Sequence, residues 1–336
     1  MAGIVKLKAT MYITLALIFA IAFGIIYAIM FYVGVGIIAV IPLTLMFFLA
    51  QWYLSPVLMK MMGQLKYIGD DEYPKLHEMV TRLATQANVP VPKIAISPRQ
   101  DPNAYVFGRT RNSSTLVVHQ GLLPMLNDGE MESVLAHEIG HLRHNDVAIM
   151  MVVSFLPMLM YMVAQNLFFS GMLGGGSGNN RNNAGGAVVI GIAAFALYFV
   201  LQLMILSLSR ARESYADEYS ATTVKKPQNL ASSLLKISAY GANPAVRQPG
   251  DGNTVAKSMY FASPFTSADD VEDVRSHEAE LKELLPDLNI DTFLKQMHKE
   301  RSGVHGLMTG LFSNHPPIYR RVLDLAELNK EIKVKG

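Results

Sequence analysis

The sequence predicts a membrane α-helical protein joined to an α+β part: four transmembrane helices and a mainly helical polar domain that contains a small antiparallel sheet. Three observations carry this. Residues 9–59, 147–180 and 182–209 hold no Asp, Glu, Lys or Arg. The polar regions 60–146 and 210–336 are together long enough to build a core. Within the first of them, short β-like runs interrupt helical periodicity. The composition agrees: 336 residues, 51% hydrophobic, only 17% charged, with a mean hydropathy of +0.25.

The first uncharged run suffices for two helices of ~20 residues across a hydrocarbon core of ~30 Å. The spans are placed at residues 11–33 and 35–54, meeting at Gly34 and Gly36 in a tight hairpin, so residues 1–59 form an N-terminal transmembrane unit. The first apolar stretch far exceeds the roughly 7–15 residues of a cleaved leader's apolar region, which makes it an anchor. Residues 147–169 and 187–208 are the third and fourth spans, in a second hairpin over 147–209. The Gly/Asn-rich tract 170–186 is expected as its loop, and Pro157 is expected to kink the third helix. The methionines at 150, 151, 158, 160 and 162 read as helix-packing or lipid-facing filler.

Basic residues near span ends set orientation. Lys6, Lys8, Lys60, Lys66, Arg143, Arg210 and Arg212 fall on one side and Arg181 on the other. The reading is a multi-pass protein of the cell membrane with both termini and both polar regions, 60–146 and 210–336, in the cytoplasm.

In the polar regions, Leu76, Met79, Val80, Leu83 and Ala87 mark a helix over 73–88 with one buried face. Residues 92–96, 104–107 and 115–119 are the expected strands. Asn127 with Glu130 resembles a capping box, and the helix it opens is expected to run straight into the third span. Beyond the fourth span, 210–223 and 227–240 look helical, 241–257 a loop, and 269–301 a charged helical stretch.

Net charge +2, from 29 basic and 27 acidic residues, argues against a nucleic-acid partner. Zero cysteines excludes disulfides, thiolate metal sites and cysteine nucleophiles. Any metal must therefore be held by His and carboxylate.

One segment has that chemistry. His137-Glu138-Ile139-Gly140-His141 is an H-E-x-x-H pattern on a predicted helix. Histidines four apart project from one face ~6 Å apart along the axis, so both imidazoles reach one Zn²⁺ while Glu138 meets a water beside it. A catalytic zinc takes three protein ligands and keeps a position open. His144 is the nearest further histidine, but on a continuous helix it lies ~10 Å along the axis from His137, too far to share the ion. The third ligand is sought in Arg210-Ala211-Arg212-Glu213-Ser214-Tyr215-Ala216-Asp217, which antiparallel spans return to the same membrane face. Glu213 is the expected ligand. Asp217, one turn on, is the expected acceptor orienting an imidazole.

These segments, with Pro102-Asn103-Ala104-Tyr105 and Ser313-Asn314-His315-Pro316-Pro317, resemble in order and spacing the HtpX-like membrane zinc metallopeptidases, relatives of the Ste24-type proteases. The resemblance covers most of the chain and implies a zincin-like peptidase domain with one Zn²⁺ per chain, Glu213 as ligand and Glu138 as catalytic base. It implies that Asn103, Ala104 and Tyr105 form a strand beside the cleft, able to pair with an extended substrate backbone. It also implies degradation of misfolded or damaged membrane proteins with exposed cytoplasmic segments. Two features depart from the family pattern: Asn314 stands where Thr is frequent, and residues 267–305 read as an insertion, taken as a solvated helix rather than a lid.

The implied reaction is peptide-bond hydrolysis, with Glu138 moving the water proton to the leaving nitrogen. His315, in a His-Pro-Pro turn, is a candidate donor to the oxyanion and equally a structural turn residue. Two alternatives remain at this level: an intramembrane-cleaving metalloprotease, disfavoured by the charged residues flanking the motif, and a non-catalytic scaffold with structural zinc, disfavoured by the intact Glu138.

Overall fold

The structure is a computed structural model that describes residues 40–173, 181–242, 276, 278–284 and 316–335. The expected span at 11–33, most of 267–305, and His315 lie outside the described residues. The described residues are mostly helical with one small sheet among them, and the chain divides into two compact units: residues 1–55 with 148–209, and residues 56–147 with 210–336.

The first unit is helical throughout its described part. Helix α1 (Val40–Met62) begins within the second expected span. Two longer helices follow in the chain, α4 (Asp146–Leu173) and α5 (Arg181–Val224), and their segments Asp146–Phe168 and Gly186–Val224 are long and apolar enough to cross a membrane. Val153, Leu156, Met160, Val163 and Leu167 repeat at helical spacing on α4 and are buried with Leu201, Ile205 and Leu208 of α5. The backbones approach closely at Gly191, where an added Cβ would stand 2.8 Å from the Phe168 nitrogen. Leu49, Tyr53, Val152, Ile192, Phe199 and Val200 remain exposed, an apolar surface of the kind that faces lipid. Both helices reach into the tract assigned to a loop, since α4 continues to Leu173 and α5 starts at Arg181. Residues 210–223 are helical as expected, as the continuation of α5, whose polar last turns contain neither Gly nor Pro to stop it.

The second unit is α+β. Helix α2 (Pro74–Ala87) starts with Pro at its first position, where a missing N–H costs nothing, and ends at Asn88 in the left-handed region. Its Leu76, Met79, Val80, Leu83 and Ala87 are buried. Strands β1 (Lys66–Tyr67), β2 (Lys93–Ser97), β3 (Ala104–Phe107) and β4 (Thr115–His119) form one sheet in the order β1-β2-β4-β3. The sheet is mixed, not antiparallel as the sequence suggests: β1 and β3 run antiparallel to their neighbours, but β2 and β4 pair in parallel, Lys93 opposite Thr115 through Ser97 opposite His119. The physical reason is the excursion through β3, which supplies the crossover that parallel neighbours need and places β3 at an edge.

Helix α3 (Asp128–Arg143) carries the H-E-x-x-H residues. Its start is the anticipated capping box: the Asn127 side chain accepts from the Glu130 amide at 2.9 Å, and the Glu130 carboxylate accepts from the Asn127 amide at 2.9 Å. Lys236 and Ser232 of helix α6 (Pro227–Ala242) donate to the same buried carboxylate at 2.7 and 2.6 Å. The helix does not run on into α4. His144 caps it, Asn145 takes a left-handed φ of 59°, and a new helix starts at Asp146. Asn tolerates that conformation better than other non-glycine residues, so the break needs no Gly or Pro. Helix α7 (Glu278–Leu284) and the C-terminal α8 (Ile318–Lys335) complete the described unit; Val134, Leu135 and Ile139 of α3, Leu230 and Leu234 of α6, and Ile318, Val322 and Leu325 of α8 share its core.

Candidate metal centre

Helical spacing aims His137 and His141 at the same point. Their Nε2 atoms are 3.1 Å apart. Helix α5 brings Glu213 to that point from the other side, with Oε2 3.7 Å from the His137 Nε2 and Oε1 3.5 Å from the His141 Nε2. One donor atom from each of the three residues lies within 4.8 Å of the other two, the arrangement in which a single metal ion can be held. Donors ~2.0–2.1 Å from a tetrahedral centre stand ~3.3–3.4 Å apart, so the observed separations fit one ion with little adjustment.

The other ring nitrogens are engaged by carboxylates. Asp217, one turn beyond Glu213 on α5, lies 2.8 Å from the His137 Nδ1. Asp146, just past the break after α3, lies 2.6 Å from the His141 Nδ1. Each carboxylate accepts the Nδ1 proton, which leaves Nε2 with its lone pair toward the shared point. Two arginines hold these acids: Arg321 of α8 donates to both oxygens of Asp217 at 2.7 Å, with its Nη1 3.5 Å from Glu213 Oε2, and Arg212 pairs with Asp146.

Charge balance is the second test of fit. Glu138, Glu213, Asp217 and Asp146 are buried carboxylates, while Arg212 and Arg321 are buried cations. With both imidazoles neutral and all four carboxyl groups ionised the cluster would carry two uncompensated negative charges, unfavourable in a low-dielectric interior; the raised Glu138 and His141 relieve that charge by holding protons, and one divalent cation would relieve it in their place.

Burial pushes the His137 imidazole down to about 4, the Asp217 contact opposing but not cancelling it, so the ring is neutral and able to ligate. Burial also acts to lower His141, but the contact with Glu213 and the charges of Glu213 and Glu138 outweigh it and leave the ring raised. Burial pushes the Glu138 carboxyl up to about 8, with Glu213 adding to the rise and His141, the Val106 backbone and Arg321 opposing it. A divalent cation at the three-donor point would draw that value back down.

Val106 joins the sheet edge to this group. The His119 amide donates to the Asn103 carbonyl at 2.9 Å, which makes Asn103 and His119 a hydrogen-bonded pair across β3 and β4. Pairs alternate in antiparallel strands, so Tyr105 and Phe107 also bond to β4, while Ala104 and Val106 turn their N–H and C=O groups to the outer edge, which no strand among the described residues covers. The Val106 backbone bonds to Glu138 from there. Asn103 and Ala104 are buried, and the Tyr105 ring packs against Phe107 and His119 at 6.2 and 5.7 Å, its hydroxyl pushed up to about 12 by burial.

His144 is outside the group despite the break in the helix; its ring lies 3.8 Å from that of Tyr215. Asp146, Arg212 and Arg321 are the members that the sequence reading did not assign to the site. Asp146 follows an unannounced break. Arg321 did leave a trace, as a charged residue on the apolar stripe of Ile318, Val322 and Leu325.

Comparison with known proteins places the chain. The family model described as "Peptidase family M48" matches residues 70–329. A protein named "Protease HtpX homolog" from Methanothermobacter thermautotrophicus is 35% identical over 69% of this chain and 86% of its own length. Another of that name from Thermoplasma acidophilum is 32% identical over 96% of this chain and 98% of its own. The crystal structure of S. mikatae Ste24p has the same fold, with a TM-score of 0.53 at 19% identity, covering 96% of this chain and 67% of that one. A match running from just before α2 to the α8 helix that carries Arg321 brackets every member of the cluster, and on it the chain belongs to peptidase family M48 and is a membrane metalloprotease.

Proposed function

We propose that the ion is zinc, one per chain, held by His137, His141 and Glu213, and that Glu138 is the general base for hydrolysis of peptide bonds. The observation that carries this is the convergence of three donors, His137 and Glu213 buried and His141 half-buried, while a separate carboxylate occupies the far nitrogen of each imidazole. Three donors among the described residues is the count of a catalytic site rather than a closed structural one.

Bound there, the ion supplies Lewis-acid polarisation of the scissile carbonyl and of the attacking water. The chain's own residues do the rest. Glu138 takes the water proton and delivers it to the leaving nitrogen, its carboxylate steered by the Val106 N–H. The edge pairs with an extended substrate through the N–H and C=O of Ala104 and the C=O of Val106, fixing the scissile bond relative to Glu138. Asp217 keeps the His137 ring in the ligating tautomer. His315 has its candidate role as an oxyanion donor from sequence alone.

The substrates we propose are misfolded or damaged membrane proteins cut at exposed cytoplasmic segments. The orientation rests on the basic residues at the span ends, with both termini and the site in the cytoplasm. A reporter fused after Gly336 tests it: activity of a cytoplasmic reporter is expected, and activity only of an exported one would reverse the orientation. Metal analysis tests the ligands. Purified protein should carry one zinc, Glu213→Ala should lose it, and His144→Ala should keep it. Equal loss in both variants would contradict the ligand set.

A further inference from the structure

Beyond the three donors and Glu138, the structure holds a contact whose consequence for the strength of metal binding is open to a direct test: the Asp146 and Arg212 pair against His141. Asp146 reaches His141 only because of the break after α3. On a continuing helix, position 146 would sit about 140° round and ~7.5 Å along the axis from His141, pointing elsewhere. The left-handed Asn145, with its amide donating to Leu142 O at 3.2 Å, folds the chain so that the first residue of α4 faces back to the imidazole. The Asp146 Oδ2 then lies 2.6 Å from His141 Nδ1, while its other oxygen pairs with Arg212. Arg212 is buried and immediately precedes Glu213 on α5. The pair thus links the helix that carries two donors to the helix that carries the third.

We infer that Asp146 is a positioning residue for the metal: pinned by Arg212, it fixes the rotation and tautomer of the His141 imidazole and sets the spacing between His141 and Glu213. This rests on the assignment of His141 and Glu213 as ligands. An acid at a helix start also stabilises that helix, and an ion pair with a buried arginine adds to folding. A purely structural role would therefore change stability and leave metal affinity alone. The positioning role changes metal affinity even where stability is restored, because it acts on ligand geometry and basicity.

The test uses full-length protein in detergent. Zinc affinity is read by competition with a fluorescent chelator, and geometry by the visible absorption of the cobalt-substituted protein, beside thermal melting. Asp146→Ala is expected to weaken zinc about 10- to 100-fold and to alter the cobalt band, with Asp146→Asn, which keeps an acceptor oxygen, in between. Asp146→Ala combined with Arg212→Met removes the buried, unpaired cation and should recover melting temperature without recovering affinity. Wild-type affinity in Asp146→Ala, or affinity that returns with stability in the double variant, would overturn the inference. His141→Ala runs alongside: if it binds zinc as wild type does, the ligand assignment itself fails, whereas loss in His141→Ala with none in Asp146→Ala removes the positioning role alone.

Discussion

Arg321 and Asp217, 104 residues apart in the chain, form a two-point ion pair in which the guanidinium Nε and Nη2 each donate to a carboxylate oxygen at 2.7 Å. Asp217 in turn lies 2.8 Å from the Nδ1 of His137. The C-terminal helix is thereby tied to the helix of the H-E-x-x-H residues through a side chain on neither. Burial works against the Arg321 charge, but the charge and hydrogen bonds of Asp217 more than compensate and hold its pKa above the usual arginine value.

Removing one partner of such a pair leaves the other charged and buried. Arg321→Met is expected to destabilise the second unit by roughly 3–5 kcal/mol. Arg321→Lys, which keeps the charge but loses the planar two-point geometry, should cost less. Urea unfolding of the metal-loaded protein measures both, and a methionine variant as stable as wild type would show that the pair contributes nothing.

Gly140, between the two histidines, sits where α3 and α5 touch. An added Cβ would stand 2.9 Å from Tyr219 Cδ1 and 3.4 Å from Ala216 Cα. The Tyr219 ring is confined by Arg143, 5.2 Å from its centroid, and by His144 at 5.9 Å, so it has little room to swing away. Gly140→Ala should therefore push the helices apart, lower stability by about 1–3 kcal/mol and weaken metal retention on dialysis. Tyr219→Ala in the same chain should restore part of the retention. Unchanged retention in Gly140→Ala would mean that the helix spacing does not govern the site.

Proline separates the two jobs of the edge strand. Tyr105 lies in a hydrogen-bonded pair with Val117, so Tyr105→Pro removes a ladder bond and should unfold the edge. Val106 directs its N–H away from β4 and toward Glu138, so Val106→Pro should leave the sheet intact while slowing cleavage about 10- to 100-fold through loss of a hydrogen bond to a carboxylate. Circular dichroism and a casein assay distinguish these outcomes. Full activity in Val106→Pro would remove the Val106 contact from the mechanism.

What the sequence makes legible follows from the range of the interactions involved. His137, Glu138 and His141 are readable because their relationship is one helical turn, and Glu213 because two apolar spans constrain where the chain returns. The capping box at Asn127 and Glu130 is local in the same way. The parallel pairing of β2 with β4 is not legible, since three short runs specify which face is buried but not which neighbour each will choose. Asp146 is hidden behind a break made by His144 and Asn145 without Gly or Pro. Arg321 is hidden by distance, because only the folded chain brings α8 to Asp217.

The central claim is that Glu138 acts on the attacking water and not as a ligand, and metal content with casein cleavage measured on the same purified Glu138→Gln protein tests it most directly. On α3 the Glu138 side chain points about 100° away from His137, beside the donor point rather than between the imidazoles. The substitution is expected to keep one zinc per chain while cleavage falls by at least ~10²- to 10⁴-fold, the usual worth of general-base catalysis. Glu138→Gln protein that retains zinc and cuts casein at the wild-type rate, or that arrives without zinc, would contradict the account.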